Sequence, residues 1–92
     1  GLAFDNFGNF FISDQFQNKI RMLNKSNNFI PTTIGGDGFQ GFTPDGNSIK
    51  NSSLTAPSDL AFHNFSNFLY FIESFLRIRY IDLNTNLVFT LG

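Results

Sequence analysis

Cysteine and tryptophan are missing from this 92-residue sequence, and it holds one histidine, one methionine and three prolines. Without cysteine there are no disulfides and no thiolate metal sites, and a lone histidine supplies neither a zinc centre nor a base with its orienting partner. Charge is equally sparse. Six basic residues against seven acidic ones leave a net charge of −1, and the basic residues are scattered. That balance excludes the basic face a nucleic acid would need and gives no attraction to an anionic membrane surface. Membrane insertion is not expected either: the longest apolar run, Phe68 to Ile72, is far shorter than the roughly 20 residues of a spanning helix. Glycine-rich GGDGFQG, from Gly35, lacks the lysine and following helix of a phosphate-binding loop. Asp37, Asp45 and Asn47 lack the alternate spacing and later glutamate of a calcium loop. The expectation is therefore no catalytic residue, no metal and no cofactor in this segment.

Phenylalanine is abundant, with 14 residues, and it sits in short apolar runs broken by Asn, Asp, Ser and Gly. Leu2-Ala3-Phe4 and Phe10-Phe11-Ile12 read as strands on either side of the turn cluster Asp5 to Asn9. Lys19 to Leu23 reads as a third strand and Phe29 to Ile34 as a fourth, with Pro31 marking an edge. Together they predict a four-stranded antiparallel meander. The chain then enters a long stretch, Gly35 to Pro57, that separates two similar segments. A connection of that length needs packing groups of its own, and Phe39, Phe42, Ile49 and Leu54 are the candidates. Asp37, Asp45 and Asn47 suit Asx-type turns, and Asn47 or Ser48 could cap a short helical turn reaching Leu54.

Beyond Pro57 the first pattern returns. Leu60-Ala61-Phe62 repeats Leu2-Ala3-Phe4, and Leu69-Tyr70-Phe71 aligns with Phe10-Phe11-Ile12 after one added residue. Glu73 then matches Asp14, Ile78-Arg79 matches Ile20-Arg21, and Thr90-Leu91-Gly92 matches Thr33-Ile34-Gly35. The length changes fall at turns, where they are tolerated.

These features resemble two consecutive NHL repeats: strand-ending carboxylates Asp14 and Glu73 followed by Ile20-Arg21 and Ile78-Arg79, and a connection carrying Asp45-Gly46, Leu54 and Pro57. The resemblance covers nearly the whole chain. Pro44 and Asn47 stand where one NHL subclass usually has glycine, and Ser48-Ile49 where it favours proline-alanine. The resemblance implies an all-β fold with two four-stranded antiparallel blades of a β-propeller, residues 1–34 and 58–92, joined by 35–57. Six blades are a common full ring, so the segment is expected to be a partial propeller and an excerpt of something longer. Its expected partners are other blades, of the same parent or by self-association.

In function the resemblance implies a non-catalytic binding or scaffold module in a larger protein, meeting a protein or small ligand on its loop face. The alternative is a fragment of a propeller enzyme whose catalytic residues lie in other blades. On the loop face stand Phe16, Lys19, Phe39, Phe42, Phe75 and Arg77, a mixed aromatic and cationic rim. Phe16 and Phe75 occupy equivalent places, and either contact a partner or pack under the long connection. Structural roles fall to Asp14, Arg21, Asp45, Gly46, Pro57, Glu73 and Arg79, the arginines pairing with the carboxylates. His63 reads as a solvated turn residue.

Overall fold

The computed structural model describes residues 1–50, 52–74 and 76–91. Eight strands follow in order: β1 (Leu2–Phe4), β2 (Asn9–Asp14), β3 (Lys19–Asn24), β4 (Thr32–Gly35), β5 (Leu60–His63), β6 (Phe68–Glu73), β7 (Arg77–Asp82) and β8 (Leu87–Thr90). They form two antiparallel sheets, β1-β2-β3-β4 and β5-β6-β7-β8. The fold is all-β. The strands carry β-favouring residues such as Phe, Ile, Leu, Tyr, Val and Thr, and the turns are rich in Asn, Asp, Ser and Gly. Between β1 and β2, Asp5 holds the turn by accepting from the Phe7 and Asn9 amides at 2.8 and 3.0 Å, and Gly8 takes a φ of +86° that a side chain would resist. His63 replaces Asp5 in the second turn, where its Nδ1 lies 2.7 Å from Ser66 Oγ.

The pairing registers are those of the sequence repeat. Leu2 faces Ile12 and Leu60 faces Phe71; Asp14 faces Lys19 and Glu73 faces Arg77; Arg21 faces Thr33 and Arg79 faces Thr90. The matches at these positions thus correspond to matched pairs in the sheets, while Gly92 lies outside the described residues.

Two expectations are corrected. The fourth strand is Thr32–Gly35 rather than Phe29 to Ile34, so Pro31 precedes it. A 3₁₀ turn (Lys25–Asn27) follows β3, and Asn28 and Phe29 then adopt left-handed φ values of 54° and 56°, a conformation incompatible with pairing. Phe29 instead places its ring 5.9 Å from Phe10. Nor is any described residue between Asn47 and Leu54 helical, although the Ile49 carbonyl accepts from the Ser52 amide at 3.3 Å. Ser48 pairs with Leu87 in an isolated bridge, with Gly46 donating to Val88 O, Val88 to Asn47 O and Ile49 to Asn86 O. The free edge of β8 offers more backbone partners than a short helix would.

The two sheets stack front to back. Ala3, Phe11 and Ile20 are the buried side of the first sheet; Leu69, Phe71, Arg79, Ile81 and Val88 are the buried side of the second. By the repeat match, Leu69 and Phe71 correspond to Phe10 and Ile12, which point away from the interface in the first sheet. Opposite faces of the same unit are therefore pressed together, with Phe62 stacked on Phe11 at a ring separation of 5.9 Å. Ile49 and Leu54 from the connection complete this core.

Candidate functional site

Gly35 to Pro57 leaves β4, runs along the outer edge of β8 and returns to β5 across the end of the molecule that carries the β2–β3 and β6–β7 turns. Hydrogen bonds fix its course. Ala56 donates to Asn18 Oδ1 at 2.9 Å, Ser74 to Thr55 O at 2.9 Å, and Thr43 Oγ1 to Ser53 O at 3.0 Å. Gly36, with φ +92°, crosses so close to the β2–β3 turn that a Cβ would meet Asn18 O at 2.2 Å. Pro57 is buried at the end of this path, where β5 follows.

At its centre is Arg79, fully buried on β7. Its Nη1 donates to Glu73 Oε1 at 3.2 Å and its Nη2 to Asp45 Oδ1 at 3.2 Å and to the Thr43 carbonyl. Glu73, also buried, accepts from the Thr55 amide at 2.9 Å through its other oxygen. The Phe42 ring lies against two guanidinium groups, with Arg77 Cζ and Arg79 Cζ each 4.4 Å from its centroid. One cation thus ties both limbs of the connection to the second sheet. Desolvating this charge is tolerable because the guanidinium is paired and bonded to a carboxylate and a carbonyl together. The matching pair in the first sheet is half-open: Arg21 lies 3.5 Å from Asp14 and also donates to Gln17 Oε1 at 2.8 Å.

Two carboxylates of the connection are held below their ordinary value of 3.8. For Asp37 the chief cause is the Phe39 amide, then the Ser53 hydroxyl, with a smaller contribution from Lys19; the geometry is an Asx turn with Phe39 N 2.9 Å from Oδ1. For Asp45 the chief lowering cause is the Thr90 hydroxyl at 2.7 Å, with Arg79 adding to it. Gly46, at φ +84°, turns the chain immediately after it.

The rim residues separate into groups. Phe42 and Arg77 meet, as described, while Lys19 lies beside Asp37 and Gly38. Phe39 is 74% exposed and Phe16 95% exposed. Phe16 therefore does not pack under the connection, and neither Phe39 nor Phe42 serves as a buried anchor; Ile49 and Leu54 fill that role. Phe75 lies outside the described residues. Among the described residues, no three His, Cys, Asp or Glu side chains gather as metal ligands.

At the opposite end is a feature the sequence did not indicate. A cavity of about 340 Å³ opens between the sheets, walled by Phe11, Met22, Ile34 and Leu83, with Asp5, Asn67 and Asn86 at its rim. Its walls come from both sheets, so only their stacking creates it. Compared with protein-family models and with curated proteins, the chain matches none.

Proposed function

We propose that the chain is a non-catalytic binding or scaffold module, formed by two blades of an NHL-type β-propeller and presenting its connection end to a protein or small ligand. The observation that carries this reading is the front-to-back stacking of two repeat-related meanders, with the connection clamped across one end by Arg79. Radially stacked blades require that arrangement, because each must offer one face to its predecessor and the other to its successor. A clamped connection also supplies a preorganised platform, which lowers the ordering cost of binding.

On that platform Phe16 and Phe39 are large, exposed aromatic groups, with Lys19 beside Asp37 and Arg77 against Phe42 as the cations of the same end. Exposed aromatic side chains beside cations are the residue types that dominate binding surfaces. The chemistry they suit is a peptide or other ligand with aromatic or apolar groups and some negative charge.

The test is a screen of the immobilised chain against a peptide and carbohydrate panel, repeated with the double substitution Phe16→Ala/Phe39→Ala. Ligands held by the native chain and lost from a folded double variant support the proposal. Retention by both, or multiple turnover of any panel member by the chain alone, would overturn it.

A further inference from the structure

We infer that the cavity between the sheets, at the end opposite the connection, binds a small primary ammonium ligand with an apolar body, its charge held at Asp5. The site is separate from the binding surface of the connection end. Its walls are Phe11, Met22 and Ile34 from the first sheet and Leu83, which follows β7, from the second. None of these residues belongs to the rim formed by the connection and the β2–β3 and β6–β7 turns.

Asp5 carries the inference. It lines the cavity, it is only 9% exposed, and among the described residues it forms no ion pair. A buried carboxylate without a cation is uncommon. An ionised carboxylate offers about four acceptor positions, and three are filled here. Oδ1 accepts from the Phe7 and Asn9 amides, and Oδ2 from Asn9 Nδ2 at 2.7 Å. One position on Oδ2 stays open. The turn itself does not demand an acid, because His63 stands at the corresponding place of the second repeat and accepts from the Ser66 amide through Nδ1 at 3.3 Å. The negative charge of Asp5 is thus more than the turn requires.

The rest of the lining suits the other parts of such a ligand. Among the described residues around the cavity, Asp5 alone is charged, so a cation is attracted there and an anion repelled. A single carboxylate suits an ammonium group rather than a metal ion, since the described residues hold no cluster of metal ligands. An ammonium group brings three donors. At the rim, Asn67 donates through Nδ2 to Asn84 Oδ1 at 3.1 Å, which leaves its own Oδ1 to accept a second ammonium hydrogen. Phe7, 82% exposed at the mouth, offers a ring face to the same cation. The volume of about 340 Å³ falls within the range of small-molecule pockets, about 300–1,000 Å³, and the apolar walls receive the ligand's body.

The test is a nuclear magnetic resonance titration of the full chain with an isotope-labelled methyl group at Met22, its one methionine, which lines the cavity. The probes share one ring and differ in charge: phenethylamine, phenethyl alcohol and phenylpropionate. The amine should shift the Met22 methyl signal saturably and bind about tenfold or more tighter than the alcohol, with phenylpropionate the weakest. Asp5→Asn, checked for folding by circular dichroism, should bring the amine to the alcohol's affinity and leave the alcohol unchanged. The inference is overturned by a native chain that gives no saturable shift with the amine, or that binds all three probes equally. An amine preference that survives in folded Asp5→Asn would overturn it as well. The first two outcomes need only the native chain, so they decide even where the variant fails to fold. Phe16→Ala/Phe39→Ala should bind the amine as the native chain does, so this site and the connection surface succeed or fail separately.

Discussion

Arg79 and Arg21 hold equivalent places in the two repeats, yet their surroundings give them different weight. Arg79 is buried against buried Glu73, so removing it leaves that carboxylate only the more distant, half-exposed Arg77 at 3.9 Å and leaves the Thr43 carbonyl short of a donor. Breaking a buried pair from one side costs about 3–5 kcal/mol. Arg21, partly exposed and 3.5 Å from Asp14, makes a pair worth about 0–1 kcal/mol. Chemical denaturation should therefore show Arg79→Ala losing about 3–5 kcal/mol and Arg21→Ala less than about 1 kcal/mol. Equal losses would mean that the clamp does not operate. Acid acts at the same scale through Asp37 and Asp45. Both are lowered in the folded chain, so their contribution is complete above the ordinary value of 3.8 and is lost as pH falls below it through the folded values. In thermal melts from neutral pH downward, Asp37→Asn/Asp45→Asn should show a shallower fall in stability below about pH 4 than the native chain.

Among the elements, the connection behaves as part of the second sheet. Residues 46–49 bond along the outer edge of β8, and Ile49, the last of them, is buried in the core. Ile49→Ala should cost about 2–5 kcal/mol and loosen that added edge. Hydrogen exchange would register this at the Val88 amide, which donates to Asn47 O: slow in the native chain, faster in the variant relative to amides within β6. Most of this layer was legible in the sequence, because short apolar runs between turn residues allow few readings and the repeat fixed corresponding positions twice over. Phe29-Ile30 misled because its apolar character suggested a strand, whereas the left-handed turn at Asn28 and Phe29 brings the Phe29 ring beside Phe10 and leaves Ile30 exposed. Ser48 misled in the other direction. Its capping potential was real, but β8 offered it a backbone partner that lies far away in sequence.

At the scale of the whole molecule, the controlling fact is which faces meet. Neighbouring positions such as Ile20/Met22 and Arg21/Leu23 place apolar groups on both sides of a strand, so the residues alone announce two buriable faces without choosing between them. Stacking makes the choice, and it also creates the inter-sheet cavity and decides that Arg79, not Arg21, is enclosed. The candidate rim was legible only as composition for the same reason: exposure of Phe16 and engagement of Phe42 by two arginines depend on where the connection lies. The most direct measurement is the pattern of nuclear Overhauser contacts between assigned aromatic rings. Front-to-back stacking predicts contacts between Phe62 and Phe11, whose rings are 5.9 Å apart. Contacts from Phe62 to Phe10 within one chain, with none to Phe11, would place like faces together and contradict the account.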